Sequence, residues 1–219
     1  MSSTLQYPKE MQVFLLQNTG LIEQGTLTDA VEATIFTAIH ERIAQKLERR
    51  LWELHCDALD IGETMFVPMH WPRRKDNSHQ AYYRISESGE ANYFWLSCLL
   101  GLNETQTCFE LHIDGRLGGP KVNVKERTQA FYAETPALHE LGWVCTEESI
   151  LRLPFSFDAA VLVETYPDLR KPMLAFEKVF DKLLKANEHI DALITGMVPT
   201  GARPTQVDDA VKEPAAAKK

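Results

Sequence analysis

The chain is poor in cysteine, in basic charge and in long apolar runs, and each shortage excludes something. Only four of its 219 residues are cysteines, Cys56, Cys98, Cys108 and Cys145. They are scattered, with no Cys-x-x-Cys pair, which argues against a disulfide scaffold and fits reduced thiols in a cytoplasmic protein. Lysine and arginine total 23 against 31 acidic residues, a formal net charge of −8. Phosphate contacts dominate nucleic-acid affinity, so strong binding to DNA or RNA is not expected. No apolar stretch approaches the roughly 20 residues of a membrane helix. The early stretch Met11–Leu16, with its apolar cluster at Val13–Leu16, is too short for a secretory core. No serine lies in a nucleophile-elbow pattern, and no glycine loop matches a nucleotide-binding signature. Neither membrane nor cofactor is therefore expected.

What the chain has is packing potential. Leu169, Met173, Phe176, Phe180, Leu183, Asn187, Ile190 and Ile194 recur at alternating steps of four and three. That spacing lays one seam along one side of a helix, and such a seam must be buried. Asn187 is its one polar member, and a lone polar residue can fix register or oligomeric state. The seam has two readings: it packs on the chain's own first helix or sheet, or Phe176, Phe180 and Asn187 form a partner or homodimer interface. Asp168 is a plausible cap, and Gly196 a plausible end, for this helix.

The first long helix is read from a cap at Thr28 or Asp29. Val31, Ile35, Ile39, Ile43, Leu47 and Leu51 step by four, and Phe36, Trp52 and Leu54 widen the face towards a stop at Gly62. Four strand candidates follow, at Thr64–Trp71, Gln80–Glu87, Asn92–Leu100 and Thr107–Asp114. A helix is expected from about Val122 to Glu134, broken at Pro136 and ended at Gly142. A hairpin then turns at Glu148-Ser149, and a short apolar turn spans Ala159–Val163. The fold class is therefore α+β: an antiparallel sheet, meander plus hairpin, covered by long amphipathic helices at both ends of the chain. Residues 1–198 are read as one domain, and 199–219, with their prolines and Ala-Ala-Ala-Lys-Lys ending, as a disordered tail. This order of elements resembles that of type III secretion chaperones, which are also acidic. It is also similar to a domain of unknown function found behind restriction-type nuclease domains.

Three constellations could carry chemistry. On a strand, Cys108, Glu110, His112 and Asp114 share one face and Phe109, Leu111 and Ile113 the other. Glu110, His112 and Asp114 could hold a divalent metal or act as acid and base, although a solvated strand face predicts the same alternation. The loop Gly115–Lys121 leads from strand to helix, where Arg116, Gly118, Gly119 and Lys121 could hold an anion or simply make the turn. The basic loop after Trp71 offers Arg73 and Arg74 to a partner, or is a solvated hairpin loop. The expected function is a non-catalytic cytosolic interaction module of adaptor, immunity or chaperone-like type, with a protein partner or a second copy bound. The rival is a small metal-dependent hydrolase or nuclease-like enzyme using Glu110, His112 and Asp114. A nucleic-acid accessory factor is the weaker alternative.

Overall fold

The computed structural model describes residues 19–57, 60–88, 95–102 and 105–198. The Val13–Leu16 cluster and the tail from residue 199 lie outside them. The elements run α1 (Thr19–Leu47), β1 (Trp52–His55), a 3-10 turn (Ile61–Glu63), β2 (Met65–Pro68), β3 (Ala81–Ser88), α2 (Trp95–Leu99) and β4 (Gln106–Ile113). They continue through α3 (Val124–Glu134), α4 (Pro136–Leu141), β5 (Val144–Cys145), β6 (Leu151–Phe155), α5 (Ala159–Thr165) and α6 (Arg170–Met197). The strands form one six-stranded antiparallel sheet in the order β1-β2-β3-β4-β6-β5. This is the α+β architecture expected. No helix among the described residues is long and apolar enough to cross a membrane.

The seam is intramolecular. Met173, Phe176, Phe180, Leu183, Ile190 and Ile194 are all buried on α6. Phe176 and Phe180 stack on each other and meet Phe109 of β4 with ring centroids 5.6 and 5.5 Å apart. Phe66 and Phe155 close the cluster from β2 and β6. Helix α1 lies beside α6, with Ile35, Ile39 and Ile43 buried and the ion pairs Arg42–Glu177 and Lys46–Asp181 across the two helices. Phe176 and Phe180 thus present no surface to a partner. A sheet with an apolar face needs a cover, and this seam is that cover.

Several segments differ from the sequence expectation. Helix α1 begins at Thr19, well before the cap expected at Thr28 or Asp29; it ends at Leu47, and Leu51 is 79% exposed. The next residues alternate as a strand, with Trp52 stacked over Phe66 and Tyr83 while Glu53 and His55 occupy the other face. Residues 95–99, read as strand, are a single helical turn and a half. The Glu32 carboxylate accepts from the Leu96 amide at 2.7 Å, and Cys98 and Leu99 are buried. A short run that is apolar on both sides fits either state, and here the acceptor on α1 decides. The helix after the glycine loop, its break at Pro136 and the left-handed Gly142 follow expectation. Ala159–Thr165 is a full short helix capped by Asp158; α6 has Leu169, not Asp168, at its N-cap position and runs one residue past Gly196.

Candidate functional site

The helices cover one face of the sheet, and the opposite face carries the polar candidates. Register sets Arg84 of β3 and Arg152 of β6 on either side of Glu110 of β4. Arg84 Nε donates to Glu110 Oε1 and Arg152 Nε to Oε2, each at 2.9 Å. Glu110 is only 1% exposed, so both of its oxygens are spent on guanidinium groups beneath a closed surface. His112 stacks on Tyr82 at 4.6 Å, and burial, then Arg84, hold its pKa below the usual value. Asp114 accepts from Arg74 Nε at 2.8 Å and from the Arg116 amide at 3.1 Å. Burial pushes its carboxyl up, but those bonds and the two positive charges more than offset this, leaving it below the ordinary range. Burial pushes the Cys108 thiol up to about 12, an inert state.

These contacts answer the metal reading of Glu110, His112 and Asp114. The strand aligns the three residues on one face, but an ion there would have to displace arginines from both carboxylates. Among the described residues, the cluster with ligand geometry is a different one: Glu53, His55 and His79 bring one ligand atom each within 4.8 Å of one another.

The basic loop is also folded inward. Arg73 pairs with Glu53, and Arg74 with Asp114. Neither guanidinium is a free cation for a partner, because the turn between β2 and β3 lies back on the polar sheet face, closed by a bridge between Arg73 and His79.

The glycine loop has a packing role. Gly118 has φ +84°, and a Cβ there would sit 2.3 Å from the Met197 carbonyl oxygen. The loop therefore docks against the end of α6, where Arg127 also donates to the Gly196 carbonyl at 2.9 Å. An open groove of about 380 Å3 does lie beside it, lined by Lys121, Lys125 and the helix start. Arg116, Gly118 and Gly119 are not part of its lining, so the four proposed anion ligands do not converge. The amide of Glu126 is already taken by Asn123 Oδ1.

The surface that the sequence did not single out lies between α5 and α6. A groove of about 460 Å3 is lined by Val161, Pro172, Leu174, Ala175 and Val179 together with Lys171, Lys178, Lys182 and Asp158. Leu174 is 56% exposed, and Val163 and Tyr166 stand exposed on the adjoining α5 side. Lys171 bonds Glu164 at 3.1 Å, whereas Lys178 and Lys182 have no carboxylate partner among the described residues. The signal in the sequence is the seven- and four-residue spacing of these lysines, which places them on one helix stripe. Glu53 and His55 were equally legible as a Glu-x-His pair once residues 52–55 are read as a strand. The chain matches no protein-family model, no curated protein and no solved structure.

Proposed function

We propose that this protein is a non-catalytic interaction module of adaptor, immunity or chaperone-like type that receives an acidic, amphipathic segment of another protein in the groove between α5 and α6. The observation that carries this reading is the exposed apolar strip flanked by Lys171, Lys178 and Lys182 on an otherwise acidic chain. Apolar area open to water, rimmed by three lysines and the single carboxylate of Asp158, is the composition of a recognition surface. From Lys171 to Lys182 the helix advances roughly 16 Å, the length of three turns of a docked helix. Lys178 and Lys182, which have no carboxylate partner among the described residues, favour carboxylates on that helix and speed its encounter. The four free cysteines support a reducing, cytoplasmic setting.

The test places a photo-crosslinking residue at Ala175 of the full chain in its native host. The expected product joins it to an acidic segment of a different protein. A synthetic peptide of that segment should bind the purified chain, weaken as salt rises and fail with Lys178→Glu/Lys182→Glu. Crosslinking to a second copy of the chain, or peptide binding indifferent to both salt and the lysine variant, would overturn the proposal.

A further inference from the structure

Strand β1 forms one edge of the sheet, and its alternation places Glu53 and His55 opposite Val67 and Met65 on the face away from the helices. The turn between β2 and β3 returns over that face and delivers His79. Its Nε2 lies 3.1 Å from Glu53 Oε2, while Arg73 occupies Glu53 Oε1. The His79 side chain is only 7% exposed, and its Nδ1 is buried without any hydrogen-bond partner. Nε2, not Nδ1, is the ring nitrogen that faces the Glu53 carboxylate, so it is the one placed to act as a ligand. The third side chain, His55, is exposed.

We propose that Glu53, His55 and His79 form a binding site for a divalent transition-metal ion of the zinc class. Two imidazoles and one carboxylate are a donor set that suits zinc, cobalt or nickel. Magnesium and calcium prefer shells of oxygen, and one carboxylate is too little for them. Around a tetrahedral zinc ion with bonds of about 2.0–2.1 Å, ligand atoms stand roughly 3.3 Å apart. The three atoms here lie within 4.8 Å, and rotation of the exposed His55 closes the difference. Arg73 fixes the carboxylate from Oε1, the outer-shell role that orients a ligating group, and an ion entering the site would take Oε2 in place of its contact with His79 Nε2. The positive charge of Arg73 also repels the ion, so micromolar affinity is expected rather than that of a closed four-ligand structural site. Three protein ligands leave one position for water. Bound there, the ion ties an edge strand to the loop that covers it, protecting an edge that would otherwise be open to pairing.

The experiment uses the full chain, free of any affinity tag and stripped with chelator. Cobalt is titrated while visible absorption is followed, and zinc is titrated in competition with a chromophoric chelator. One equivalent should bind, with magnesium unable to compete. His55→Gln, at an exposed position, and His79→Gln should each weaken binding by at least about 10- to 100-fold, which is what loss of an outer-shell partner alone costs, with far-UV circular dichroism unchanged. Cys56→Ser should bind as the parent does. Absence of stoichiometric binding overturns the proposal. So does affinity that survives both histidine substitutions, or affinity lost in Cys56→Ser instead.

Discussion

The phenol of Tyr83, wholly buried on β3, donates to the side-chain oxygen of Asn187 on α6 at 2.9 Å. That single bond explains the polar break in an otherwise apolar seam. A tyrosine in a core needs an acceptor for its hydroxyl, and Asn187 supplies it from the one seam position that remains half-buried. Asn187 therefore fixes how α6 sits on the sheet, an intramolecular version of the register role expected of it.

The two single variants should differ. Tyr83→Phe removes the donor and leaves Asn187 within reach of water, a loss of about 0.5–1.5 kcal/mol. Asn187→Ala strands the hydroxyl of Tyr83 in the core, a loss of about 1–3 kcal/mol. In the double variant the costs should fall short of their sum by about 1 kcal/mol, read from urea unfolding midpoints at constant slope. Additive costs would mean that the pair is not coupled.

Neighbouring glycines in the loop after β4 make a second contrast. Both have positive φ, +84° at Gly118 and +85° at Gly119. A methyl at Gly119 meets open space, so Gly119→Ala should cost only the left-handed backbone term, about 1–2 kcal/mol. Gly118→Ala adds a clash with the Met197 carbonyl and with Val122, and should cost about 1–3 kcal/mol more. Thermal unfolding of the two variants side by side measures the difference. Equal shifts would show that the loop does not seat against α6.

Much of this architecture was legible in the sequence, and the exceptions share a cause. The seam at Leu169–Ile194 is long enough for its period to be unambiguous, and the alternation of Gln106–Ile113 states its two faces. Residues 52–55 and 95–99 are four and five residues long, shorter than the period needed to separate strand from helix. They were settled by contacts from distant chain, such as the Glu32 carboxylate on the Leu96 amide, 64 positions away. The polar face shows the same limit. Glu110, His112 and Asp114 are visibly aligned, but Arg84 and Arg152 reach Glu110 from 26 and 42 positions away through strand register alone. Likewise, the approach of His79 to Glu53 depends on a turn folding back over β1, which no local pattern announces.

Stability should fall as the solution is made mildly acidic, and three histidines set the window. His40, whose Nε2 lies 2.6 Å from the Thr64 hydroxyl, His79 and His112 all have folded-state pKa values below 6.5, with burial the largest cause in each. Well above pH 6.5 they are neutral in both states and contribute no pH dependence. As pH drops through 6.5, the unfolded chain takes up protons that the folded chain resists, so unfolding gains up to about 1.4 kcal/mol per pH unit for each histidine. The loss levels off once pH is below the folded values. Asp168, held at about 2 by hydrogen bonds from Arg170, acts in a separate, more acidic window: its contribution is complete above 3.8 and disappears only as pH falls through about 2. Urea midpoints measured with chelator present should therefore be lower at pH 5.5 than at pH 7.5. The triple substitution of His40, His79 and His112 by Gln should flatten that difference. A pH dependence unchanged in the triple variant would assign the loss to other groups.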